Sequence, residues 1–305
     1  MKKILCVCFS ATYQRTVVFN SLKLNSVNRA DHYGLYASGK AVNSARVLEQ
    51  LQKGCEITVC PLGVNSAEYI TLAQSDGIEL YWIDVPWKIR ECWTLLDNTT
   101  HTTTELIADE KPAVPEPNTA VPEPVEGPHN LDIKILKLIT QQLEECDALL
   151  LAGSRQGIWP KDIYPAICGI ALDMGKTVLA DFVGNELNMA LKSAIPSIIK
   201  INDEEFTKTF GLPATKENIT KKSSEYHNII VITRGTDSTL AASNGKFYEY
   251  PVPEVQAINT IACGDSFNAG FLFEYLNSGD MDKALEKGTW CAVQNALSEV
   301  PGSIK

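Results

Sequence analysis

From residue 131 to residue 233, short apolar runs alternate strictly with segments of helical periodicity, and this alternation most narrows the folds open to the chain. The periodicity predicts helices over 131–144, 159–174, 203–210 and 215–226, with a short one from Glu186. Between them, apolar runs at 148–152, 177–181, 197–201 and 229–233 read as strands. The runs are continuous rather than alternating, as in strands buried on both faces. The expected architecture is α/β, three layers of α/β/α around a mostly parallel central sheet. Ligands of such sheets sit beyond the C-terminal ends of the strands, which directs attention to the turns there.

The flanking regions fit the same plan. Residues 4–9 form another apolar run, 56–61 and 80–85 read as further strands, and helices are predicted over 266–276 and 281–297. A helix opens after Gly39, with Ala41, Ala45, Leu48 and Leu51 at helical spacing. Mixed polar and aromatic runs at 16–19 and 29–36 suit half-exposed strands of a small flanking sheet. A second pair, 93–96 with 102–107, joins them across a polar turn at 97–100. We expect one main domain over 1–305 with lid strands from about 12–37 and 90–108. Between 111 and 128 the motif Ala113-Val114-Pro115-Glu116-Pro117 recurs as Ala120-Val121-Pro122-Glu123-Pro124. This low-complexity insert is expected to be extended or disordered and to take no part in chemistry.

Charge and cysteine usage limit the partners. A net charge of −10 repels nucleic acid and anionic membranes, so neither is expected as a partner, and an anionic substrate must be caught by local cations. The nine cysteines are odd in number and contain no CxxC pair, which points to a reducing compartment. The N-terminus lacks a signal-peptide pattern and no apolar run is long enough to span a bilayer, so a cytoplasmic location is expected. His32, His101, His129 and His227 are isolated and have no metal-ligand spacing.

The densest signal is the stretch from Asn259 to Phe271. Small residues at Ala262, Cys263 and Gly264 let the backbone approach a ligand, and the helix that follows aims unpaired N–H groups at it. Asp265, at that N-terminus, is either a helix cap or a carboxylate within reach of whatever the turn holds.

Taken in order, these residues resemble the PfkB-type carbohydrate kinases of the ribokinase-like superfamily, and most nearly the 1-phosphofructokinase and tagatose-6-phosphate kinase branch. Gly39-Lys40 with Asn43 resembles the sugar motif GKGxN, and Gly153-Ser154 the GS turn. Arg90-Glu91-Cys92-Trp93-Thr94 and Thr103-Thr104-Glu105-Leu106 resemble lid strands. Lys200-Ile201-Asn202-Asp203-Glu204-Glu205 matches KxNxxE, Thr233-Arg234-Gly235 resembles a nucleotide turn, and 259–271 resembles DTxGAGDxFxAGF.

The resemblance implies phosphoryl transfer from ATP, with Mg2+, to a hydroxyl of a sugar phosphate. Asp265 is the implied base, and Ala262, Cys263 and Gly264 form an anion hole. Gly39, Lys40, Asn43, Arg90, Ser154, Arg155, Gln14 and Asp181 would bind the acceptor, with the cations taking its phosphate. Lys200, Asn202, Thr233, Arg234, Gly235 and Asn295 would bind the nucleotide, and Asn202 and Glu205 would hold the metal through water. The apolar residues Val17, Val18, Phe19 and Trp93 could pair the lid with a second copy, giving a homodimer.

Several positions depart from the family pattern. Asn259 stands where Asp is usual, Ala262 where Gly is usual, and Gln14 where an Asp binds the sugar. Ala262 costs on the order of 1 kcal/mol if its φ is positive. Cys263 stands where a small Ala is usual and is expected simply to pack there, although a thiol at a helix N-terminus is open to a lowered pKa and to oxidation that would block the phosphate site. A kinase of an unphosphorylated sugar or nucleoside, or an impaired sugar- or nucleotide-binding regulator, therefore stands beside the sugar-phosphate kinase reading.

Overall fold

The computed structural model describes residues 1–108 and 128–305. The chain runs β1(Ile4–Val7), β2(Thr12–Phe19), β3(His32–Ser38), α1(Lys40–Leu51), β4(Glu56–Leu62), α2(Ser66–Ser75), β5(Leu80–Asp84), β6(Arg90–Asp97) and β7(Thr102–Ile107). It continues with α3(Pro128–Leu143), β8(Ala148–Ala152), α4(Ile163–Asp173), β9(Thr177–Asp181), α5(Asn185–Ser193), β10(Ile198–Asn202), α6(Asp203–Phe210) and α7(Lys216–Tyr226). Strands β11(Ile229–Arg234), β12(Asp237–Ser243) and β13(Lys246–Tyr250) and helices α8(Cys263–Ser278) and α9(Met281–Ala296) complete it.

Nine strands form the large sheet in the order β13-β12-β11-β10-β9-β8-β1-β4-β5. Every pair from β11 to β5 is parallel, and β12 and β13 are antiparallel. The expected mostly parallel sheet between helical layers is what forms. Its strands are apolar along their length because both faces are covered. Alternate residues feed two cores. Cys6 and Cys8 pack with α1, α2, α8 and α9 on one face. Leu5, Val7 and Phe9 pack with α3 to α7 on the other.

A separate sheet has the order β3-β2-β6-β7, with β2 and β6 parallel at its centre. β2 and β6 start earlier than periodicity indicated and β3 starts later, β7 begins where expected, and β2 is not half-exposed. Val17, Val18 and Phe19 are buried within the chain, so of the apolar residues expected to face a second copy only Trp93 is exposed. The Pro/Glu-rich repeat lies outside the described residues.

Two features were not anticipated. Helix α2 buries only Tyr69 and Ala73, too sparse an apolar face to register as periodicity. The β12–β13 hairpin turns on Asn244-Gly245, both at positive φ (51° and 76°), the conformation that Asn-Gly two-residue turns supply. That signal was present in the sequence.

Candidate active site

The C-terminal ends of β1, β8, β9 and β10 converge on a cavity of about 380 Å3. Its charged lining consists of Lys40, Arg90, Arg155, Asp181, Glu186 and Glu205, with Ser10, Gly153 and Ser154 beside them. The end of the small sheet meets the same place. Ser38 of β3 pairs with Thr12 of β2, which pairs with Arg90 of β6, and the Arg90 Nε donates to Thr12 Oγ1. At Gly39 the chain turns from β3 into α1 with φ 126°, and a Cβ there would come within 2.7 Å of Cys8 Sγ. Only glycine fits, which explains why Lys40 and Asn43 are delivered at the head of α1.

Asp265 sits in the first turn of α8 and is buried. It does not cap that helix, and no side chain does: Cys263 N donates to Thr260 O at 3.4 Å, while the N–H groups of Gly264 and Asp265 face the helix mouth. Its carboxylate instead accepts from Asn43 Nδ2 at 2.9 Å. Asn43 is oriented for this because its Oδ1 accepts from Ser38 Oγ at 2.9 Å and from Arg46 Nη1 at 3.3 Å. Burial pushes the Asp265 pKa up to about 6; Lys40 opposes this and Asp181 adds to it.

Ala262, the residue before α8, has φ 67°. The conditional strain cost therefore applies, since an L-residue pays to sit in the left-handed region. Asn295 braces this turn by donating to Ile261 O at 2.8 Å and accepting from Gly302 N at 2.6 Å. Its amide is committed to the turn itself. It also donates to Cys263 Sγ at 3.3 Å, and burial raises the Cys263 thiol rather than lowering it, in keeping with a packing role.

Behind the turn lies a buried ionic centre. Asp181 accepts from Lys40 Nζ at 3.2 Å, Lys200 Nζ at 3.3 Å and Asn268 Nδ2 at 2.6 Å. Burial works against its charge, but Lys200 and Lys40 outweigh it and hold the carboxyl below the usual range. Asp181 holds Lys40 raised, against its burial, so Lys40 stays cationic at neutral pH. A Cβ at Gly264 would meet Lys200 Nζ at 2.8 Å, so Lys200 lies directly under the anion turn. Asn268 was not anticipated, although it lies three residues after Asp265 on the same helix face.

Of the other expected residues, Glu205 lines the cavity, whereas Gln14 does not. Gln14 is buried inside the small sheet, where its Nε2 donates to Thr94 Oγ1 at 2.7 Å, and it does not line the cavity. Asn202 and Glu205 form a reciprocal capping box: Asn202 Oδ1 accepts from Glu205 N at 2.7 Å, and Glu205 Oε2 from Asn202 N at 2.9 Å. Thr233 is the register partner of Asn202 on β11. Arg234 donates to Ser238 O at 2.8 Å, and Gly235 makes the turn into β12 with φ 62°.

The pfkB family carbohydrate kinase description matches residues 3–303. A possible 1-phosphofructokinase from Thermotoga maritima superposes with a TM-score of 0.83 at 14% identity, over 98% of this chain and 93% of that one. Phosphofructokinase-2 from Escherichia coli in complex with fructose-6-phosphate gives 0.79 at 15% identity, over 97% and 94%. A putative phosphofructokinase from Staphylococcus aureus gives 0.73 at 21%, over 97% and 92%. At such identities the likeness shows the fold, while the match to the family description spans almost every residue. With its parallel sheet, its separate four-stranded sheet and a carboxylate at an uncapped helix mouth, this chain belongs to the pfkB family of carbohydrate kinases.

Proposed function

We propose that this carbohydrate kinase transfers the γ-phosphoryl of ATP to a hydroxyl of a sugar phosphate. The observation that carries the reading is that Lys40, Arg90 and Arg155, distant in sequence, line one cavity. Forked Arg side chains and Lys are the groups that hold a phosphate the acceptor already carries. Asp265 acts as general base, and a pKa near 6 keeps it ionised at neutral pH while close to the range that proton transfer favours. The N–H groups of Gly264 and Asp265 at the head of α8 stabilise charge on the transferring group.

The donor set suits a Mg2+ ion that keeps most of its waters. Among the described residues no three His, Cys, Asp or Glu side chains cluster as a cage, and Mg2+ is commonly held by one or two carboxylates and substrate phosphates. Glu205, which lines the cavity, would hold it through the carboxylate oxygen that the capping box leaves over, whereas Asn202 spends its one side-chain oxygen on that box. When bound, Mg2+ neutralises charge on the β- and γ-phosphates. The small sheet, whose end carries Arg90 into the cavity, acts as a lid over the acceptor.

A second reading has one observation in its favour. Lys40 is paired with Asp181 and Arg155 with Glu186, a neutralised wall that also suits an unphosphorylated sugar. Acceptor-dependent ADP release from Mg·ATP, measured across sugar phosphates, sugars and nucleosides, tests both. Turnover with sugar phosphates supports the proposal, and turnover confined to unphosphorylated acceptors overturns it in favour of the second reading.

A further inference from the structure

We infer that Glu186 sets acceptor selectivity by competing with the acceptor's phosphate for Arg155, an inference that rests on the sugar-phosphate reading above. Glu186 stands in the first turn of α5, and its Oε1 accepts from Arg155 Nε at 2.7 Å. Both line the cavity, with side chains 20% and 12% exposed, respectively.

The guanidinium is already fixed without this pair. Arg155 Nη1 donates to Trp159 O at 2.7 Å and to Gln156 O at 3.4 Å, so backbone carbonyls of its own loop hold the head group. Glu186 is therefore not required to aim Arg155. What it contributes is charge. The cavity's three cations, Lys40, Arg90 and Arg155, face three carboxylates, Asp181, Glu186 and Glu205, which sum to zero. A dianionic phosphate docking on Arg155 meets the Glu186 carboxylate beside it and must displace it. Weak anions are rejected, and only an acceptor whose phosphate reaches Arg155 with its fork satisfied gains the exchange.

The test compares the wild type, Glu186→Gln, Arg155→Gln and the double variant, by titration with inorganic phosphate and by initial rates with a hexose monophosphate. Glu186→Gln keeps an acceptor oxygen for Arg155 but removes the charge. Phosphate affinity should rise and KM for the hexose phosphate fall by about fivefold, the upper range for a partly exposed ion pair, with KM changing more than kcat. Arg155→Gln should weaken both, and the double variant should match Arg155→Gln alone. Unchanged or weaker phosphate binding in Glu186→Gln, a gain that survives in the double variant, or a shift confined to KM for ATP would each overturn the inference. If Glu186→Gln does not fold, Glu186→Asp retracts the carboxylate by one methylene and should move phosphate affinity the same way. If the wild type uses only unphosphorylated acceptors, the phosphate-acceptor reading fails, while the phosphate titrations still decide the role of Glu186.

Discussion

Asn43 on α1 donates a 2.9 Å hydrogen bond to the Asp265 carboxylate on α8, joining residues 222 apart in sequence. The bond fixes the carboxylate with one oxygen engaged, in a buried setting that keeps its pKa near 6. With Asp265 as the proposed base, a carboxylate held in this way ties the rate and the stability of the protein to one proton.

Asp265→Asn removes the proposed base while keeping an oxygen for Asn43. Turnover should fall by about 10²–10⁴-fold. In the wild type, kcat/KM should decline as pH drops through about 6. An unchanged rate in the Asn variant removes Asp265 as the base.

The same substitution should stabilise the fold at neutral pH. The folded pKa of Asp265 lies above the ordinary Asp value, so the protonated form is favoured in the fold. That contribution is complete below about pH 4 and lost as pH rises through about 6, leaving an ionised, buried carboxylate at pH 8. Denaturant unfolding at pH 8 should show the variant more stable by on the order of 1–3 kcal/mol, with the gap closing toward pH 4.

Asp181→Asn should be destabilising by on the order of 3–5 kcal/mol, because it leaves buried Lys200 without its countercharge. Its depressed carboxyl gives the opposite pH sign: the stabilisation is present above the ordinary Asp range and fades as pH falls below it. Urea titrations at pH 7 and pH 3 measure both effects.

Ala262→Gly should raise stability by about 0.5–1 kcal/mol. Relief of a left-handed φ outweighs the extra freedom that glycine brings to the unfolded chain. Thermal unfolding of the pair decides it, and a loss of stability would show that the turn carries no such strain.

Gly264→Ala places a methyl where Lys200 Nζ lies. Lys200 is paired with buried Asp181 and has little room to retreat, so the anion turn should open. Turnover should drop by about 10²-fold, comparable to the loss of one anion-hole donor, with KM for ATP rising.

The sequence by itself determined the parallel sheet, the helical layers and the stretch from Asn259 to Phe271. Local chemistry specifies these: apolar runs at 148–152 and 177–181, and small residues ahead of Asp265. It did not determine what each polar side chain does once buried. Gln14 turns inward to Thr94, Asn295 braces the anion turn, and Asp181 joins two lysines and Asn268. Val17, Val18 and Phe19 are covered by the chain's own packing rather than presented to a copy. The physical reason is that a buried donor or acceptor must find a partner, and the partner is set by which strands and helices meet. Only the tertiary structure brings Asn43 to Asp265, or Glu186 to Arg155, and with them the acidity of the proposed base and the charge of the cavity wall.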